Sequence, residues 1–261
     1  MTPAAFDYKR TKTLYDYAAD RHLRSLPMEH FMEATAQATQ RKITLESFDL
    51  IQVSRPDVQC FNELLVQYPR AGEDFDKPGQ IVPDNMVVVH PEPIVARTNF
   101  ATPLQPAGPF LVLEYVSKHS ERKDYEVSYG KYEKELKVPY YLIFYPDADE
   151  LSLFHLRGGA YRSVTPNAAG RLAIPELELE VALLGGWVRY WFRSDLLPLP
   201  GDLLIERDAA REQRDEARTE RDAERKARVA AEQQAESERH ARLAMEAELA
   251  KLREELARAR G

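Results

Sequence analysis

Two apolar, strand-like runs that each carry one acid constrain the fold of this chain more than any other feature. The first, VPDNMVVVH at residues 82–90, contains Asp84, and the second, GPFLVLEYVSK at residues 108–118, contains Glu114. Acidic side chains are rare inside buried strands unless they are paired or bind a metal. Two such acids on neighbouring strands therefore predict a divalent-cation site, with the hard oxygen ligands that suit Mg²⁺.

The alternation of side chains along a strand tests whether the two acids can meet. Glu114 shares a strand face with Val116, and Asp84 shares a face with Met86. If the two strands are neighbours, both carboxylates can converge on one ion. Such an ion polarises a phosphoryl oxygen and makes hydroxide available near neutral pH, and a nearby lysine would orient the attacking water.

Hydrophobic periodicity and turn residues predict the other elements of the first 200 residues. The predicted helices cover residues 38–51, with Thr44 as a possible N-cap, and about 122–137, with Val127 and Leu136 among the buried positions. The predicted strands cover residues 60–69, 81–90, 110–116 and 138–147, and a hairpin at 151–166 turns at Gly158-Gly159. The run at 138–147 is apolar on both faces, which is typical of a central strand.

The composition changes at Pro200-Gly201. From residue 202 onward the chain has no proline, no aromatic residue and no glycine before the last position. This predicts one long helix of about 90 Å at 1.5 Å per residue. Its end carries apolar residues at spacings of four and three, which predict a coiled-coil seam that joins two copies of the chain. The seam consists of Met245, Leu249, Leu252, Leu256 and Ala259.

Seven arginines recur along the same helix at spacings of four and three, so that they form one stripe. They are Arg207, Arg211, Arg214, Arg218, Arg221, Arg225 and Arg228. A solvated face with acids on the adjacent stripe is the simpler interpretation, and a surface that follows a phosphate backbone is the sharper one.

Composition narrows the function classes. The chain has one cysteine, Cys60, no run of 18 apolar residues and no apolar secretory signal at its start, so a cytoplasmic protein without a membrane span is expected. Its net charge of -7 argues weakly against a nucleic-acid coat protein. A nuclease is not excluded, because a metal site is itself acidic.

The acid-bearing runs resemble the PD-(D/E)xK nuclease superfamily, and the wider pattern is similar to one branch of it, the Uma family of putative restriction endonucleases. The resemblance covers most of residues 38–202, including VPDNMVVV, FLVLEYVSK and the LSLFHLRGGAYRSV hairpin. It implies a mixed α/β sheet flanked by helices, a bound Mg²⁺ or Mn²⁺, and DNA as the substrate. In that pattern Asp84 and Glu114 match the motif acids and would hold the metal.

The motif lysine is where this chain departs from the superfamily. The position two residues after Glu114 is Val116, and the helix position where many relatives carry a lysine is Ser128. Lys131 and Lys118 remain as candidates, with Lys131 slightly favoured. This departure bears on catalytic competence rather than on the fold.

The sequence thus predicts an α/β, restriction-endonuclease-like protein with a long C-terminal helix. The expected domains are an N-terminal arm at 1–37, a nuclease-like domain at 38–201 and a coiled coil at 202–261. The expected function is metal-dependent hydrolysis of DNA by a homodimer. The alternative is a catalytically inactive nuclease fold that binds or scaffolds, oligomerised by its coiled coil.

Overall fold

The computed structural model describes residues 7–25, 35–72, 77–96, 98–116 and 123–259. The chain divides into two compact units, Met1–Leu199 and Pro200–Gly261. In the described part, the helices are α1 (Tyr8–Ser25), α2 (Thr35–Ser54), a π-helical segment at 123–136 and α3 (Pro200–Ala259). The strands are β1 (Val58–Asn62), β2 (Leu65–Tyr68), β3 (Gly79–Ile81), β4 (Asn85–Val89), β5 (Asn99–Ala101), β6 (Leu111–Tyr115), β7 (Tyr140–Tyr145), β8 (Glu150–Arg157), β9 (Ala160–Ser163), β10 (Leu172–Ile174), β11 (Leu179–Leu184), β12 (Trp187–Phe192) and β13 (Asp195–Leu196).

A six-stranded mixed sheet forms the centre of the first unit, in the order β1-β4-β6-β7-β8-β9. Strands β6 and β7 are parallel, and the other pairs are antiparallel. Along β7, Leu142 and Phe144 belong to one core cluster, whereas Tyr141 and Ile143 belong to the other. The sheet is therefore buried on both faces here, and the predicted central strand is confirmed, as is the mixed α/β class with its long C-terminal helix.

One face of the central sheet is covered by α2 and by a second, four-stranded sheet, β10-β11-β12-β13. The buried side of α2 repeats at helical spacing, from Gln40 through Ile43, Ser47 and Ile51. Gln40 joins the helix to β12, because its amide accepts from the backbone N of Val188 at 2.9 Å and donates to the backbone O at 3.2 Å. This side chain satisfies a strand backbone as a neighbouring strand would.

The opposite face is covered by the π-helical segment and by a three-stranded sheet, β3-β2-β5, against which α1 packs. Two strand glutamines fix α1: Gln67 donates to the carbonyl O of Tyr15, and Gln80 donates to that of Ala18. The π-helical segment contributes the fully buried Tyr132 to this core.

Two predicted strands are each broken into two. The predicted strand at 60–69 is interrupted at Glu63, whose φ of 44° lies in the left-handed region, so that β1 and β2 enter different sheets. The predicted strand at 81–90 is interrupted around Pro83, which separates β3 from β4. Apolar periodicity could not show these breaks, because the hydrophobic residues continue through both of them.

Two single-residue predictions in the helices are wrong. Thr44 does not cap a helix N-terminus, because α2 begins nine residues earlier, at Thr35; its hydroxyl instead bonds that of Tyr190 at 2.8 Å. Val127, expected to be buried, is 50% exposed. The helical wheel used for that expectation assumed 3.6 residues per turn, whereas this segment is π-helical and its side chains are spaced differently.

The predicted hairpin is confirmed. Strands β8 and β9 pair with Arg157 opposite Ala160, so two residues form the turn. These are Gly158 and Gly159, with φ of 63° and 82°. A two-residue turn with positive φ at both positions matches the twist of the flanking strands and favours glycine.

The long helix predicted for the second unit is confirmed as α3, whose described side chains are exposed through residue 253. Seam residues Leu249 and Leu252 are about half exposed, at 49% and 51%. None of the helices in the described part of the chain is both long and apolar enough to cross a membrane.

The lone cysteine, Cys60, lies on β1 and is partly buried against the core cluster beneath α2. The pKa of its thiol is raised, because burial disfavours the thiolate and because the carboxylate of Asp49 lies nearby.

Candidate active site

The two acids meet where β4 and β6 separate. These strands are antiparallel neighbours, and the last paired residues of the ladder are Asn85 and Leu113. Asp84 and Glu114 are the next residues on each strand, so they stand opposite each other at the end of the ladder. The structure therefore brings together the two acids that the sequence singled out.

The carboxylate of Asp84 is held by two donors. Its Oδ2 accepts from the backbone N of Tyr115 at 2.6 Å, and its Oδ1 accepts from Nε2 of Gln37 at 2.9 Å. The first bond replaces the ladder bond that β4 no longer provides for β6, since a backbone N–H at this depth requires an acceptor. Asp84 lies in the bend before β4, so its side chain is placed by these bonds more than by strand alternation.

Glu114 is 4% exposed and is held from the opposite face of the sheet. Its Oε1 accepts from the hydroxyl of Tyr132 at 2.6 Å, and its Oε2 accepts weakly from the backbone N of Asp84 at 3.4 Å. The pKa of Tyr132 is raised well above its ordinary value, first by desolvation and then by the charge of Glu114. The hydroxyl therefore stays protonated and remains a donor to the carboxylate.

Helix α2 closes the other side of the site and leaves a small cavity of about 20 Å³. That volume accommodates about one water molecule. The polar residues that line it are Gln37, Gln40, Arg41, Thr44, Asp84, Asn85, Glu114, Tyr115 and Tyr190. Its inner wall is apolar and includes Leu113, Leu142, Phe144 and Val188.

Sequence reasoning missed two of these residues, Gln37 and Arg41. The predicted helix began at residue 38, so Gln37 fell in the expected arm and Arg41 was not considered for the site. Their spacing of four places both side chains on one side of a helix, and this was the available signal. A start of α2 at Thr35 brings that side against the acids.

Arg41 brings a positive charge to the cavity. Its guanidinium pairs with the carboxylate of Glu63, in the break between β1 and β2. The Arg41 side chain is 15% exposed and that of Glu63 is 50% exposed. The backbone N of Glu63 also donates to the carbonyl O of Asp84 at 3.2 Å, so this ion pair is tied to the end of the ladder.

The two candidate lysines are not brought to this cavity. Lys131 donates to the backbone O of Gln80 on β3 at 2.9 Å and is not among the cavity-lining residues that the structure describes. Lys118 lies outside the described residues. Val116 and Ser128, which stand where relatives would carry a lysine, are 0% and 1% exposed within the core.

The donor set fits a hard divalent cation. Mg²⁺ is commonly bound by one or two carboxylates, with water and substrate phosphate completing its shell. Asp84 and Glu114 offer two carboxylates, and all four oxygens are oriented by hydrogen-bond donors. Across the described ranges, no group of three or more His, Cys, Asp or Glu residues could form an all-protein cage.

Comparison with known proteins gives one family. Residues 35–184 match the Uma2 family, described as "Putative restriction endonuclease". Among solved structures, the chain is similar to the crystal structure of a putative nuclease belonging to DUF820 from Anabaena variabilis ATCC 29413. The two are 12% identical with a TM-score of 0.43, over 56% of this chain and 75% of that one. None of the curated proteins matches the chain.

Proposed function

This chain belongs to the Uma2 family of putative restriction endonucleases, and on that premise we propose that it is a metal-dependent DNA endonuclease that hydrolyses phosphodiester bonds. One observation carries the proposal: Asp84 and Glu114 converge at the end of the β4–β6 ladder, beside a cavity that α2 closes. Two buried acids that served only stability would be expected to pair with separate cations.

The residues around the acids support distinct roles. Asp84 and Glu114 would hold Mg²⁺ or Mn²⁺, which when bound polarises a phosphoryl oxygen and supplies hydroxide near neutral pH. Gln37 and the Tyr115 amide orient Asp84, while Tyr132 orients Glu114. The apolar inner wall excludes bulk water, which strengthens each of these interactions. Assistance by Lys131 or Lys118 stays a prediction, and Lys131 would first have to leave the Gln80 carbonyl.

The proposed assembly is a homodimer formed through α3, in the cytoplasm. Exposed Leu249 and Leu252 on that helix support it, because a seam of leucines at this spacing is stable in water only when another helix covers it. A dimer would supply two sites, as a cut in both DNA strands requires.

A second candidate function is a nuclease fold that binds or scaffolds without cutting. The buried Val116 and Ser128, at positions where relatives would carry a lysine, favour it. Tight binding of Mg²⁺ or Mn²⁺ separates the two candidates, because a scaffold has no use for a metal at Asp84 and Glu114.

Nicking of supercoiled plasmid in Mg²⁺ or Mn²⁺ tests the proposal. We would compare the wild type with Glu114→Gln, which keeps the shape but removes the charge. Glu150→Gln, the same change at an exposed position on β8, is the matched control. We expect cleavage by the wild type and by the control and none by Glu114→Gln. Cleavage that survives Glu114→Gln would contradict the proposed site, and no metal-dependent cleavage would favour the scaffold.

A further inference from the structure

The cavity contains a cation that no lysine motif predicts. We propose that Arg41 binds the phosphate of the DNA substrate, and that Glu63 occupies the guanidinium until the phosphate displaces it. This proposal rests on the proposed function, because it names the group that receives the substrate at the same site. It answers the question raised by Val116 and Ser128, namely which residue supplies positive charge to the reaction.

The position of Arg41 follows from helix geometry. Gln37 and Arg41 are one turn apart on α2, and Gln37 already bonds Oδ1 of Asp84 at 2.9 Å. Arg41 lines the same cavity as both acids, with its side chain 15% exposed. A guanidinium in this setting sits next to any phosphate that a metal on Asp84 and Glu114 would bind.

Glu63 marks the place of the phosphate. Carboxylate and phosphate oxygens engage a guanidinium with the same planar, two-pronged geometry, so one can take the position of the other. Glu63 is 50% exposed, whereas the guanidinium that it contacts is mostly buried. The carboxylate can therefore leave toward solvent while Arg41 stays in place, and its backbone bond to Asp84 keeps the turn attached.

Asn85 supplies a second, independent observation. It lines the cavity, is 4% exposed, and its Nδ2 is buried without a hydrogen-bond partner in the described part of the chain. A buried N–H that lacks an acceptor is costly in a native structure, so such a group calls for an explanation. A phosphate oxygen held by Arg41 would supply the missing acceptor.

Charge supports the same partner. Two acids, Asp84 and Glu114, would repel an anion from the cavity if they stood alone. A bound divalent cation offsets them, and Arg41 then adds one positive charge once Glu63 has withdrawn. The cavity thus becomes attractive to a phosphodiester only in the metal-bound, Glu63-displaced state.

The test measures DNA binding and cleavage by the full chain. A short fluorescent duplex serves as the probe for binding at several salt concentrations, and supercoiled plasmid serves for cleavage, both in Mg²⁺ or Mn²⁺. We expect Arg41→Gln to weaken binding about tenfold or more, and to reduce the salt slope by about one phosphate contact. Arg41→Lys should restore part of the binding. Lys42→Gln is the matched control, since it removes the same charge from an exposed neighbour on α2 and should leave both readouts unchanged.

Two further variants keep the test decisive if Arg41→Gln fails to fold. Glu63→Gln should change binding in the opposite direction, because it removes the competitor for Arg41. Asn85→Leu should weaken binding without lowering the melting temperature, because no hydrogen bond within the protein is lost. Weaker or unchanged binding in Glu63→Gln, or wild-type binding and cleavage in Arg41→Gln, would overturn the proposal.

The failure of this proposal can be told from failure of the proposed function. If the wild type cleaves, Glu114→Gln does not, and Arg41→Gln cleaves as the wild type does, only the role of Arg41 is wrong. If the wild type neither binds nor cleaves DNA, or if Glu114→Gln still cleaves, both proposals are wrong.

Discussion

At the scale of single residues, the two acids could be predicted from the sequence but their supports could not. Asp84 and Glu114 stood out because each interrupts an apolar strand. Gln37 and Tyr132 are ordinary helix residues until tertiary packing places them beside a carboxylate. Support residues of this kind come from elements distant in sequence, and no local pattern reports such contacts.

Gln37 is expected to act as a positioning residue. Its replacement by Met keeps the length of the side chain but removes the donor to Oδ1 of Asp84. Partners that orient metal ligands typically contribute about 10- to 100-fold in metal affinity or activity. We therefore expect Gln37→Met to raise the Mg²⁺ concentration at half-maximal cleavage by a factor in that range. Gln52→Met, an exposed change on the same helix, should not shift it.

Tyr132 is expected to matter for stability as well as for the site. Tyr132→Phe removes the hydroxyl that donates to Oε1 of Glu114 at 2.6 Å and leaves a buried carboxylate oxygen with one donor fewer. Loss of one partner of a buried charged group costs about 1–3 kcal/mol or more. Urea unfolding should show a decrease of that size in the free energy of unfolding. Equal stability of the variant and the wild type would mean that water replaces the hydroxyl.

At the scale of elements, strand and helix positions could be predicted where periodicity was strong and failed where backbone conformation changed within an apolar run. The hairpin at Gly158-Gly159 was predictable because the glycines announce positive φ. Glu63 adopts positive φ without any such residue, so the break between β1 and β2 had no local signal. The join between α2 and the second sheet was equally unpredictable, because it depends on Gln40 and Val188, 148 residues apart.

The three-stranded sheet depends on one close approach. A Cβ atom added at Gly79 would lie 2.2 Å from the ring of Tyr68, which is 2% exposed and cannot move outward. Overpacking of this kind typically costs about 1–3 kcal/mol. Gly79→Ala should lower the free energy of unfolding by about that amount, as measured by urea denaturation. Gly108→Ala, where an added Cβ meets no atom within 4 Å, should change it little.

At the scale of the whole molecule, composition alone separated the long helix from the rest of the chain, because proline and aromatic residues stop together near Pro200. What that helix contacts is a question of assembly. The first unit has its own core on both faces of the central sheet, so it should fold without α3.

Removal of α3 should change the oligomeric state and not the fold. We expect a chain cut after Gly201 to sediment as a monomer with cooperative thermal unfolding, while the full chain sediments as a dimer. Leu249→Glu with Leu252→Glu in the full chain should have the same effect, because charges opposite each other in a seam repel. A truncated protein that stays dimeric would place the interface in the first unit.

The pH dependence of stability should be dominated by buried tyrosines at the alkaline end. Burial raises the pKa of the following residues above the ordinary value of about 10: Tyr15, Tyr68, Tyr132, Tyr140, Tyr161 and Tyr190. Below pH 10 both folded and unfolded chains keep these protons. Above it only the unfolded chain releases them, so the free energy of unfolding should decrease as pH rises. Urea titrations between pH 8 and 11 would measure this decrease, and a flat profile would contradict it.

The partly buried thiol of Cys60 makes this protein its own reporter of motion. At neutral pH almost no thiolate forms, because the pKa is raised, so a thiol reagent should react mainly when α2 lifts from β1. The same helix carries Gln37 and Arg41 toward the acids. The rate of labelling of a single native cysteine thus reads the opening of the cavity, and ligands that bridge α2 and the sheet should slow it.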